Sequence, residues 1–441
     1  MTKLLALVLL GATGAALAQP AADPALVEAI AKIKAIDNHA HPVRYAVEGS
    51  KPDDEYDALP CDALESAPPM VRGRPDNPEW IGAWRALYGY SFGDASADHA
   101  KTLVIAKQSA LRGHGASYAA WVLDKMGIET MFANRVALGN DFAPPRFRWV
   151  PFVDALMLPL NGGEMERLNP DSRPFYGAEA HLLKRYLWDL GLSKSPATLG
   201  DYVSQVVTAT LERQKRAGAV ALKFEAAYLR PLNFSNVTQG DAEPVYARYI
   251  GGGEPPAGDY RKLQDFLFHS IAQEAGRLGL AIHIHSAPGC GDYFNIRGAN
   301  PSLLEDVFND PSLRKTNFVI VHGGWPYTKS VAALLGKPNV YTDFSFITQT
   351  LYPRALAEVL RDWLEWYPEK VLFGTDAFGG PEANGVNWEE SGWLASTTAR
   401  EALALALTGM MRDHEITRER AVQLARMLLR DNAIKLYGLQ P

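Results

Sequence analysis

The chain has 441 residues, 47% of them hydrophobic and 21% charged, which is ample apolar material for a large core and argues against disorder. With 44 Lys and Arg against 50 Asp and Glu, the formal net charge of −6 offers no broad basic field for nucleic acid, so a small molecule is the expected partner. No stretch beyond the first residues is long and apolar enough to suggest a membrane span.

The opening MTKLLALVLLGATGAALAQP carries Lys3, an apolar run from Leu4 and small residues at Ala16 and Ala18. This reads as a signal peptide over residues 1–18, removed to leave a single domain over 19–441 and a secreted or periplasmic protein. An uncleaved anchor is the alternative, but the run falls short of the roughly 20 residues that span a bilayer. Cys61 and Cys290, the only cysteines, read as a disulfide or as two inert thiols in such a compartment.

From Ala25, ALVEAIAKIKAID predicts a short helix leading into a first strand that ends at His39 and His41. Residues of about 43–120 are irregular and rich in proline and charge, with helical stretches at IGAWRALYGY and ADHAKTLVIAKQSAL, and read as an insertion capping the face beyond the first strand. Seven further apolar runs predict strands: GIETMFANRVA, RFRWVPFVDAL, AVALKFEAAY, LAIHIHSA, NFVIVHGG, NVYTDFSF and KVLFGTDA. Helical stretches such as YVSQVVTATLERQKRAG and YRKLQDFLFHSIAQEAGRLG separate several of them, and RERAVQLARMLLRDNAIKLYGL closes the chain as a last outer helix. The expected fold class is therefore α/β: a (β/α)8 TIM barrel with a helical and irregular insertion after strand 1.

In IDNHAHP the two histidines stand two apart at a strand end, so the period of two turns both imidazoles to one face, as two ligands of one metal require. His285 ends the fifth predicted strand, His322 the sixth and Asp376 the eighth, all at the face where barrel enzymes do chemistry. His283 shares the strand of His285 but one layer deeper, where a core histidine is expected.

These residues, with HIHSAPGCGDYFN, NPSLLEDVF, FVIVHGGWPY, NVYTDFSF, VLFGTDA and LLRDNAIKLYGL in this order, resemble the amidohydrolase superfamily, in its amidohydrolase-related branch (amidohydrolase 2). The resemblance implies that His39, His41 and His285 are metal ligands, that Asp376 is a fourth ligand or the base on the metal-bound water, and that His322 faces the substrate, where it would stabilise the oxyanion, or a second metal. A lysine on the fourth strand of some members is carboxylated and bridges two metals. Lys223 holds that place, while Glu225 shares its face and could bridge instead. One ion is preferred over two, zinc first and manganese second, because zinc accepts imidazole and carboxylate in a site with an open position. Arg230, with Tyr228 before it, is a candidate clamp for a substrate carboxylate.

The implied activity is hydrolysis of a C–N (amide-type) or ester bond of a small molecule through a metal-bound hydroxide. A non-oxidative decarboxylase on the same scaffold is the first alternative, and a non-catalytic secreted binding protein the second. Loss of a ligand would mark the latter, and none is missing. A homodimer is compatible with the resemblance, though no stretch of sequence marks it.

Overall fold

A computed structural model describes residues 21–44, 51, 53–64, 70–379 and 386–440, so the signal segment 1–18 lies outside the described residues. Each expected strand is present: β1 (Ala35–Ala40), β2 (Ile128–Asn134), β3 (Phe147–Val150), β4 (Ala221–Phe224), β5 (Ala281–His285), β6 (Phe318–Val321), β7 (Val340–Asp343) and β8 (Val371–Leu372). All neighbouring pairs are parallel, in one sheet of order β1-β2-β3 and another of order β4-β5-β6-β7-β8. Parallel neighbours cannot be joined by tight turns, and helices occupy every connection except the irregular one between β2 and β3.

Backbone hydrogen bonds also cross both seams between the sheets. Lys223 N–H donates to the Pro151 carbonyl (2.8 Å) and Val153 N–H to that of Lys223 (3.0 Å), joining the end of β3 to β4. Asn38 N–H donates to the Phe373 carbonyl (2.8 Å) and His41 N–H to that of Ala377 (2.7 Å), joining β1 to the chain after β8. A buried apolar cluster takes Ile36, Phe132, Val150, Ala221, Ala281, Val319 and Leu372 from seven strands, with Tyr341 of β7 packed against it. Such a ring of inward side chains is consistent with the expected barrel. A fully buried ring such as Phe132 contributes about 1.5–3 kcal/mol.

Between β1 and β2 the described chain contains helices Glu79–Tyr88, Ala97–His114 and Tyr118–Met126. The two predicted outer helices form at Leu199–Arg216, through a π-helical turn at Val203–Thr208, and at Ala257–Leu278. The second stops at Gly279, whose φ of 64° supplies the left-handed residue that ends a helix at no steric cost. The closing helix runs from Arg418 to Tyr437 through another π-turn. Among the described residues no helix is long and apolar enough to cross a membrane.

Candidate metal centre

β1, whose pairing with β2 shifts register between Asp37 and Ala40, brings Asp37, His39 and, just past its end, His41 to the site, and the chain after β8 brings Asp376 against the two histidines. His39 Nε2 lies 3.3 Å from His41 Nε2, and Asp376 Oδ1 stands 3.2 Å from the former and 3.6 Å from the latter. The donor atoms of these three buried residues all fall within 4.8 Å of one another, and among the described residues no other trio of metal-binding side chains does so.

Asp376 holds this place in the left-handed region, with φ 53°, which costs a non-glycine residue energy and persists only when its surroundings over-determine it. They do. Asp376 N–H donates to the His39 carbonyl (2.7 Å), and Gln349 Nε2 donates to the carbonyls of Thr375 (2.9 Å) and Asp376 (2.8 Å). Asp37 accepts from the backbone and hydroxyl of Thr375 at 2.9 and 2.5 Å. His322 and Phe346 share the positive φ, at 68° and 54°, so backbone strain gathers at the strand ends around this cluster.

His285 does not join the three-donor group; its Nδ1 faces His322 Nε2 at 3.0 Å instead. Ser345 Oγ donates its single proton to Asp343 Oδ1 (2.6 Å) and must therefore accept from His322 Nδ1, 3.0 Å away. That network leaves His322 Nε2 as an acceptor. In this tautomer the ring nitrogen carries no proton to donate to an oxyanion, the role expected of His322. His285 then gives its Nδ1 proton to His322, which leaves its buried and unpartnered Nε2 with a free lone pair.

Burial penalises the charged imidazole. It holds His39 and His285 well below the usual range, assisted by Lys223 for the first and by His322 for the second, and pushes His322 down to about 3 against the pull of Asp376. Burial acts in the same sense on His41, but the Asp57 carboxylate outweighs it and raises that ring. Imidazoles beside a carboxylate, with His39 and His285 held neutral by burial, are a donor set a divalent cation takes, so the residues fit the expected metal.

Lys223 is wholly buried, with Nζ 3.3 Å from His39 Nε2 and 3.3 Å from Glu225 Oε1. Burial pushes Glu225 up to about 7, with Lys223 opposing. Arg230 is committed elsewhere: it pairs with Asp265 (2.7 Å), donates to Gln264 Oε1 (3.1 Å) and Asn233 O (2.8 Å), and covers the Phe234 ring. This corrects the carboxylate-clamp expectation, since a substrate would have to break a buried ion pair to reach it. His283 is the core histidine expected, with Nε2 2.7 Å from the Tyr437 hydroxyl.

Residues that sequence reading did not single out complete the surroundings. Asn134 of β2 contacts His39 Nδ1 at 2.9 Å, and Asp343 accepts from Asn38 Nδ2 (2.8 Å) and His322 N–H (3.0 Å) as well as from Ser345. Asp57 stands 2.8 Å from His41 Nδ1. Asp343 and Ser345 lie within the NVYTDFSF run already noted, the one signal that could have found them.

The amidohydrolase family profile matches residues 200–439, more than half of the chain, and the chain belongs to this family, in its amidohydrolase 2 branch. Among characterised proteins it is similar to Protein fluG of Emericella nidulans, 29% identical over 160 residues; the match takes in 36% of this chain and only 17% of that relative's length. Similar solved structures include glucuronate isomerase from Caulobacter crescentus, with TM-score 0.61 and 14% identity over 95% of this chain and 94% of that one. A candidate metal-dependent hydrolase from Lactobacillus casei follows at TM-score 0.59 and 14% identity, over 94% and 97%. At such identities the likeness is one of fold.

Proposed function

We propose that the protein is an exported, metal-dependent hydrolase of a C–N or ester bond in a small molecule, working in a closed (β/α)8 barrel whose 43–120 insertion caps the site. The single observation that carries the reading is the buried trio His39, His41 and Asp376, whose donor atoms converge within 4.8 Å. These three would hold one divalent cation, zinc before manganese, with His285 Nε2 as a further donor. A cation bound there supplies Lewis acidity and lowers the pKa of a coordinated water to about 7.

The chain's own residues supply the rest. Asp376 takes the proton of the attacking water and passes it to the leaving group. His322 Nε2, kept free of its proton by the link to Ser345 and Asp343, accepts from His285 Nδ1 and so holds that ring with its Nε2 lone pair free. Lys223 either stays an ammonium paired with Glu225 or, once carboxylated, bridges a second ion; its pairing with Glu225 supports the first. The Cys61–Cys290 disulfide supports export, since such bonds persist in oxidising compartments.

Decarboxylation is the weaker reading, because Arg230 no longer offers a carboxylate its counter-charge. The test is turnover by zinc- and manganese-loaded protein on a panel of small amides, esters and carboxylic acids. Amide or ester cleavage that disappears in Asp376→Asn is expected; release of carbon dioxide without cleavage would replace hydrolysis by decarboxylation.

A further inference from the structure

We propose that Asp57, brought in by the connection after β1, is a positioning residue of the metal centre, holding the His41 ring so that its Nε2 faces His39 and Asp376. The proposal rests on the reading of those three residues as metal ligands.

His41 presents its two nitrogens to different groups. Nε2 faces His39 Nε2 at 3.3 Å and Asp376 Oδ1 at 3.6 Å, while Nδ1 stands 2.8 Å from Asp57 Oδ2. An imidazole that ligates through one nitrogen carries its proton on the other, and a carboxylate there fixes both tautomer and ring orientation. The Asp57 oxygen is thus a close charged neighbour of the ring nitrogen, without the alignment of a full hydrogen bond. The two side chains are 9% and 11% exposed, so water screens their attraction little.

Asp57 is not a surface acid that happens to fold inward, because its segment is fixed independently of His41. Asp53 makes a buried bidentate pair with Arg135 at 2.8 and 2.9 Å. The Glu55 carbonyl accepts from Val136 N–H (2.9 Å), and its carboxylate pairs with Arg185 (2.8 Å). Leu59 is buried in the main core, and Cys61 is bonded to Cys290. The far end of that disulfide meets the centre again: Cys290 N–H donates to the Tyr228 hydroxyl (3.2 Å), and the Tyr228 ring lies 4.5 Å from that of His285. One tied-down segment therefore supports two of the histidines, and Asp57 is the charged contact it makes with the donor cluster.

The test uses the full oxidised chain as wild type, Asp57→Ala, Asp57→Asn and, as a control, His39→Ala. Zinc affinity is measured by competition with a chromophoric chelator, and cobalt is added separately to record the visible spectrum of the bound ion. Asp57→Ala is expected to weaken zinc by about 10–100-fold and to alter the cobalt spectrum. Asp57→Asn, which keeps an acceptor and loses the charge, should recover part of both, and the metal-free variants should melt as wild type does. Asp57→Ala that binds zinc as tightly as wild type, with an unchanged cobalt spectrum while His39→Ala loses the ion, would overturn the role of Asp57 alone. Wild type that takes up neither ion would overturn the metal centre and this proposal with it.

Discussion

His285 Nδ1 and His322 Nε2 stand 3.0 Å apart at the ends of neighbouring strands, a pair distinct from the trio His39, His41 and Asp376. Two ligands of one tetrahedral ion would stand at about the same separation, roughly 3.3 Å for metal–nitrogen bonds near 2.0 Å. The pair is a hydrogen bond beside a single ion, and Lys223 tests that arrangement against a second metal site. As an ammonium paired with Glu225, Lys223 repels a cation at the trio, so Lys223→Met is expected to keep one ion per chain at equal or higher affinity. Loss of a second ion from that variant, read by metal analysis, would make Lys223 a bridge.

Arg230→Ala should act on stability and not on substrate binding. It strands Asp265 in the interior, and breaking a buried pair in this way costs about 3–5 kcal/mol. Urea unfolding should show that loss, with KM unchanged in whatever protein remains folded. A raised KM at unchanged stability would restore the arginine as a substrate clamp.

Gly323 follows His322 with φ 62°, and a Cβ there would lie 2.5 Å from the Trp363 ring. Gly323→Ala therefore meets both backbone strain and a clash, with a loss of about 1–3 kcal/mol. Because Trp363 is buried and cannot swing into water, the displacement should fall on His322, lowering turnover in the folded fraction. Denaturation and single-turnover rates on one preparation separate the two effects.

Much of this architecture is legible in the order of residues, because an apolar run that ends in a histidine or aspartate marks both a strand and the face it opens on. IDNHAHP, LAIHIHSA and FVIVHGG announce themselves in that way. Asp57 does not: it sits in PDDEYD among acids that look equally solvated, and only the tertiary anchors of Asp53, Glu55 and Cys61 select it. Arg230 misleads for the converse reason, since its partner Asp265 is remote in sequence on the helix Ala257–Leu278. The role of His322 turns on which way a serine proton points, which no pattern of residue types records.

The metal-free protein should show the depressed His322 in its pH dependence. A histidine whose pKa falls from 6.5 unfolded to about 3 folded contributes stability that is present above pH 6.5 and is lost as pH falls toward 3. Asp37, pushed up to about 7 by burial, works in the opposite sense, contributing below its unfolded value of 3.8 and losing that contribution as pH rises through 7. The total profile mixes the two, so the comparison is between wild type and His322→Asn. Between pH 6.5 and 4.5 wild type should lose stability relative to the variant at up to about 1.4 kcal/mol per pH unit. Parallel urea-unfolding profiles would show that the ring is not held neutral.

The most direct test is metal content by mass spectrometry of purified protein, expressed with zinc or manganese, for wild type, His39→Ala and Asp376→Asn. A centre built on His39, His41 and Asp376 predicts about one tightly held ion per wild-type chain and its loss from both variants, with each still folded. Wild type that carries no ion under any loading condition, or variants that keep it in full, would contradict the centre.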